Sequence, residues 1–83
     1  MSSVARTEGL PSTPVSDGEV ITTPDGTAHY LNGMATLIYE LADGREVASI
    51  AASVATIFDL PATEAVSLVE ESVKEMRAKG LVG

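Results

Sequence analysis

Apolar and polar positions divide this chain into a strand-forming first part and a helical remainder. Gly18 to Thr22 alternates, with Val20 and Thr22 on one face and Glu19 and Ile21 on the other. Thr23-Pro24-Asp25-Gly26 then carries a strong turn signal, because proline presets φ and glycine accepts a positive one. Thr27 to Leu31 returns as a partner strand rich in β-formers. A short edge strand is expected around Thr13–Val15, weakened by Pro11 and Pro14.

Beyond Leu31 the period changes from two to that of a helix. Asn32 is placed to cap the first helix, in which Met34, Leu37, Ile38 and Leu41 form one stripe. Asp43-Gly44 stops it. A second helix carries Val47, Ile50, Ala51, Val54, Ile57 and Phe58, with Glu46 or Arg45 at the position where a capping Ser or Thr is usual. The third helix starts at Pro61 and runs to Lys79, with Gly80 as its stop. Its core stripe is expected to be Val66, Val69, Val73 and Met76. Leu68 lies to one side of that stripe, grouped with Ala65 and Ser72. Such a residue either lines a groove or is an ordinary surface leucine.

Eighty-three residues make one small domain, and without cysteine it must fold by packing alone. Residues 1–12 read as a disordered polar tail and 13–83 as the folded domain. No secretory signal and no apolar run of ~20 residues is present, so a cytoplasmic protein off the membrane is expected. Net charge is −7, and three of the five strong bases, Lys74, Arg77 and Lys79, crowd the end of the last helix. There they complement the helix dipole, and nucleic acid is not the expected partner.

Catalytic chemistry is not apparent either. His29 is the sole histidine and has no cysteine or second histidine with which to share a metal. No nucleophile elbow or phosphate loop occurs, and Glu64, Glu70, Glu71 and Glu75 read as a solvated helix face. Neither an enzyme nor a cofactor is expected. An acyl carrier protein would need an Asp-Ser-Leu attachment motif, which is missing. A winged-helix DNA-binding regulator is the alternative, opposed by the shortage of bases on the second and third helices.

The ordered series Tyr30-Leu31-Asn32, Ile38-Tyr39-Glu40-Leu41, Asp43-Gly44, Ile50-Ala51, Phe58-Asp59 and Gly80-Leu81-Val82 resembles the PqqD-like family, the recognition elements of ribosomally made, modified peptides. The resemblance covers Val15 to Val82. It implies an α+β, winged helix-turn-helix-like fold, with a three-stranded antiparallel sheet followed by three helices. It also implies a stand-alone, non-catalytic protein, monomeric or weakly dimeric. Such a protein binds the leader of a precursor peptide and presents it to a modifying enzyme, such as a radical SAM enzyme, a leader protease or a cyclase, in pathways such as that of the lasso peptides.

In the family the leader adds as a strand in the cleft between the third strand and the third helix. The resemblance carries that site to Thr27, Ala28, His29, Tyr30 and Leu31 on the strand, and to Ala65, Leu68 and Ser72 on the helix. The third helix departs from the common pattern at Leu68, where an acid is frequent, and at Ser72, where an aromatic or leucine is. Tyr39 stands where tryptophan is common. Lys79 suits an acidic leader and Glu71 and Glu75 a basic one, and the sequence leaves that sign open.

Overall fold

A computed structural model describes residues 3–83. The chain forms β1 (Ser3–Ala5), β2 (Ser12–Val15), β3 (Gly18–Thr22), β4 (Ala28–Asn32), α1 (Gly33–Leu41), β5 (Asp43–Glu46), α2 (Val47–Phe58) and α3 (Ala62–Ala78). Strands β2, β3 and β4 make an antiparallel sheet in that spatial order, and β1 pairs with β5 in a second, two-stranded one. The α+β architecture inferred from the sequence, a three-stranded sheet followed by three helices, is therefore present. The small sheet is an addition to it.

Each element has a local cause. Between β3 and β4, Gly26 takes φ 85° and donates to the Thr23 carbonyl, while Asp25 accepts from the Thr27 amide. Asn32 ends β4 and caps α1, accepting from the Ala35 amide at 2.9 Å. Gly80, at φ 76°, turns the chain out of α3, and Leu81 reaches back to the Met76 carbonyl. Ile21, Ile38, Ile50, Val54, Val69, Val73 and Leu81 fill the core between the sheet and the three helices.

The expected stripes needed correction at their ends. On α1, Ile38 and Tyr39 are buried, while Met34, Leu37 and Leu41 pack only partly. On α2, Ile57 is 60% exposed and Phe58 39%, because the chain leaves for α3 directly behind them. On α3, Ala65 is buried and Val66 is exposed, the reverse of the sequence reading. Only Asp59, Leu60 and Pro61 join the two helices, so they lie close at this end and a methyl group fits where valine would not. Pro61 caps α3 from outside its first turn.

The segment read as a disordered tail is the largest departure. Met1 and Ser2 lie outside the described residues, but Val4 on β1 is fully buried. Asp43 and Gly44, expected only to stop α1, open β5 and supply the partner for β1. On its other flank β1 meets the chain end, with Arg6 bridging Val82 and the Gly83 amide donating to Ala5. The Arg6 guanidinium donates to the Tyr39 and Glu40 carbonyls at the end of α1, and Arg77 reaches the Ser3 carbonyl at 3.0 Å. The segment is ordered because it donates to free carbonyls at the end of α1, accepts from Arg77 of α3, and bonds the Gly80 and Leu81 carbonyls through Thr7. A single buried valine gives it an apolar anchor.

Val4→Ala should therefore lower stability by roughly 1.5–3 kcal/mol. Urea unfolding will show this as an earlier midpoint with an unchanged slope, and a free tail would show no change. The exposed Asp43 carboxyl is held at about 2 by its hydrogen bonds to Arg45, below its ordinary 3.8. A depressed carboxylate adds stability above its unfolded pKa and loses it as pH falls through the folded one. Asp43→Asn should thus lower the unfolding midpoint slightly at pH 7, and the difference from wild type should shrink between pH 4 and about 2 and vanish below that. The effect will be small, because both side chains face solvent.

Candidate peptide-binding edge

The three-stranded sheet has two edges, and hydrogen-bond parity decides what each one offers. In an antiparallel pair, alternate residues bond to the neighbour and the others point away. The Thr23 amide bonds Thr27 across the hairpin, whereas the Thr22 amide turns to Pro11 on the β2 side. With the register Thr22–Ala28, Ile21–His29, Val20–Tyr30, Glu19–Leu31, His29 and Leu31 bond inward to β3. Ala28 and Tyr30 direct their amides and carbonyls to the open edge of β4, and Asn32 its amide, its carbonyl being the first acceptor of α1.

The same counting places Ser12 and Pro14 on the open edge of β2. Pro14 has no amide hydrogen, so that edge lacks its central donor. Proline on an edge strand is a common means of preventing unwanted pairing. The open edge of β2 therefore offers fewer amide donors than that of β4.

The open edge of β4 looks across a cleft at α3. One cavity of about 150 Å³ is lined by Leu31, Ala35, Ser72, Glu75, Met76 and Lys79, with Tyr30 and Asn32 at its strand side. A second, of about 540 Å³, lies at the other end of β4 between Thr23, Asp25 and His29 and the helix-terminal Ala78, Lys79 and Gly80. Lys79 borders both, so the two form one trough along the strand.

The residues nominated from the sequence divide accordingly. Ala28, His29, Tyr30 and Leu31 are on β4, and Ser72 faces them from α3. Thr27 precedes the strand, and its backbone groups are engaged with Thr23 and Asp25 in the turn. Ala65 is fully buried and belongs to the core. Leu68 is 36% exposed but borders neither cavity, lying one turn before Ser72. Glu75 and Lys79, raised from the sequence only for the charge of the leader, line the cleft, and Asn32, Ala35 and Met76 join them without having been nominated. Helical spacing from Ser72 through Glu75 and Met76 to Lys79 would have found the α3 members.

Side chains along β4 alternate. Leu31 is buried and His29 half-buried toward the helices, while Tyr30 is 51% exposed on the opposite face. Hydrogen bonding to Asp17 there pushes the Tyr30 phenol above its ordinary pKa. On the inner face the Thr23 hydroxyl donates to Asp25 and lies 3.4 Å from His29 Nε2. Gly18 makes the approach of β3 to β4 possible, since a Cβ there would fall 1.8 Å from the Leu31 carbonyl oxygen.

A family model described as coenzyme PQQ synthesis protein D (PqqD) matches residues 16–82, which hold β3, β4, β5 and all three helices. The chain belongs to the PqqD family. No curated protein matches it. Among solved structures, TbiB1 in complex with the TbiA(beta) leader peptide superposes with a TM-score of 0.82 at 15% identity. The match covers 94% of this chain and 93% of that one. At that identity the likeness concerns the fold alone.

Gly18→Ala tests the close approach on which the edge depends. At an unstrained site this exchange stabilises modestly. Here it should destabilise by more than about 2 kcal/mol, visible as a lower thermal midpoint. An unchanged or higher midpoint would show that β3 and β4 have room to separate.

Proposed function

We propose that this protein binds the leader segment of a ribosomally made precursor peptide as a fourth strand on β4. The observation that carries the reading is the contrast between the two edges. β4 turns the amides and carbonyls of Ala28 and Tyr30 and the amide of Asn32 outward beside a trough, whereas Pro14 deprives the edge of β2 of a donor. Strand addition of this kind draws affinity from backbone bonds and selectivity from pockets for alternate side chains. Membership of the PqqD family supports it, as does the shared fold with a protein solved with a leader peptide.

In this reading the protein performs no chemistry. It holds the leader so that the attached core peptide is concentrated at the active site of a modifying enzyme. A radical SAM enzyme, a leader protease and a cyclase are the candidate partners, met in the cytoplasm where such peptides are made. No single described helix is long and apolar enough to cross a membrane. DNA binding is the weaker reading: α2 carries no base, and Arg77 on α3 is engaged with the Ser3 and Gly83 carbonyls.

The test is a calorimetric titration with the leader of a small precursor peptide encoded beside the gene. Saturable one-to-one binding is expected, and absence of heat with any neighbouring leader would sink the proposal. Two proline variants locate the contact. Tyr30→Pro removes an outward amide and should abolish binding while the circular dichroism spectrum stays native. His29→Pro removes an inward one, breaks the β3–β4 ladder, and should unfold the sheet. Retained affinity in Tyr30→Pro would place the peptide elsewhere.

A further inference from the structure

We infer that the guest strand is selected by an apolar residue followed two positions later by an acidic one. This rests on the reading of β4 as the docking edge and adds the chemistry that the edge selects. A guest strand alternates its side chains, so only every second one enters the trough. The guest residues opposite Leu31 and His29 share their face and point toward α3, while the one opposite Tyr30 points to the outer face. Two adjacent, dissimilar cavities therefore read two residues separated by one.

The cavity at Leu31 is small, and Leu31, Ala35, Ser72 and the buried Met76 surround it. An apolar side chain of the guest fits there. Glu75 at its rim disfavours an acid at the same position. The larger cavity at His29 is polar, and its charges are not equally available. Asp25 already accepts from the Thr23 hydroxyl and the Thr27 amide. The Lys79 ammonium has no hydrogen-bond or ion-pair partner among the described residues, where Arg45–Asp43 is the one salt bridge. At the His29 end Asp25 keeps its charge but has an oxygen committed to the hairpin, so the charge open to a guest there is that of Lys79. Glu75, unpaired among the same residues, stands at the Leu31 end.

Direction follows from the sheet. β2, β3 and β4 are all antiparallel, and antiparallel addition is the more stable pairing. An antiparallel guest passes Leu31 before His29, which gives the order apolar, any residue, acidic. The net charge of −7 opposes an acidic guest at long range, but that field is screened beyond about 8 Å at physiological salt. Lys79 acts inside that distance.

Short fluorescent peptides in a serine–threonine host test this by anisotropy, with Leu-Thr-Glu, Leu-Thr-Gln, Leu-Thr-Lys or the reversed Glu-Thr-Leu at the centre. The first should bind roughly fivefold or more tightly than each of the others. Lys79→Glu should invert the preference between the Glu and Lys peptides, with no more than the small fall in the unfolding midpoint that an acid at the end of α3 brings. Equal affinities that Tyr30→Pro still abolishes would overturn the inference and leave the docking edge standing. Affinity that survives Tyr30→Pro would unseat the edge itself. Silence from all four peptides also overturns the inference, and titration of the natural leader into wild type and Tyr30→Pro then judges the edge separately.

Discussion

The chain passes from β4 into α1 without a single loop residue, and most of the architecture depends on that corner. Asn32 is both the last residue of the strand and the cap of the helix. Its side chain satisfies the Ala35 amide, and the Thr36 hydroxyl donates to the Leu31 carbonyl. The helix must therefore start against the sheet it has just left, burying Ile38 with Ile21 and Leu31. A fourth strand cannot follow by hairpin. The edge of β4 is left open because the backbone that might have closed it has become helix.

Openness at one edge would be a liability if it were repeated at the other. A sheet with two free edges invites self-association, and its guest would have two places to go. Pro14 removes the choice by deleting one donor at the middle of β2. Gly18 works on the opposite side of the same strand pair, letting β3 lie against Leu31 so that β4 is held straight along the trough. Selectivity for one edge thus comes from two residues with almost no side-chain chemistry.

Much of this could be read in the sequence where the signal is local. The Pro24-Asp25-Gly26 turn, the Asn32 cap and the Gly80 stop each act within a few residues, and each is found where its chemistry required. Hydrophobic periodicity placed all three helices but misjudged their ends. Ala65 is buried and Val66 is not because the short Asp59–Pro61 link brings α2 close, a distance no periodicity encodes. β1 and β5 escaped notice for a similar reason: Ser3–Ala5 and Asp43–Glu46 carry no alternating pattern and become strands only by meeting one another. The trough on α3 was half visible. Ser72 was identified, and Glu75 and Lys79 were weighed for their charge, but Met76 and Ala35 as lining residues needed the direction of β4 along the helix.

The stitching of Arg6 to Val82, and of Ala5 to Gly83, also orders events in time. β1 can settle on β5 once the first half of the chain exists, but its second flank has no partner until residues 81–83 have been made. Pairings so distant along the chain carry a high loop-closure cost and tend to form late. Newly synthesised molecules would hold Val4 only loosely while the β2–β3–β4 sheet, built from neighbouring segments, is already assembled. The proposed docking edge then matures ahead of the strand that locks Ala5 and Arg6 to residues 82 and 83.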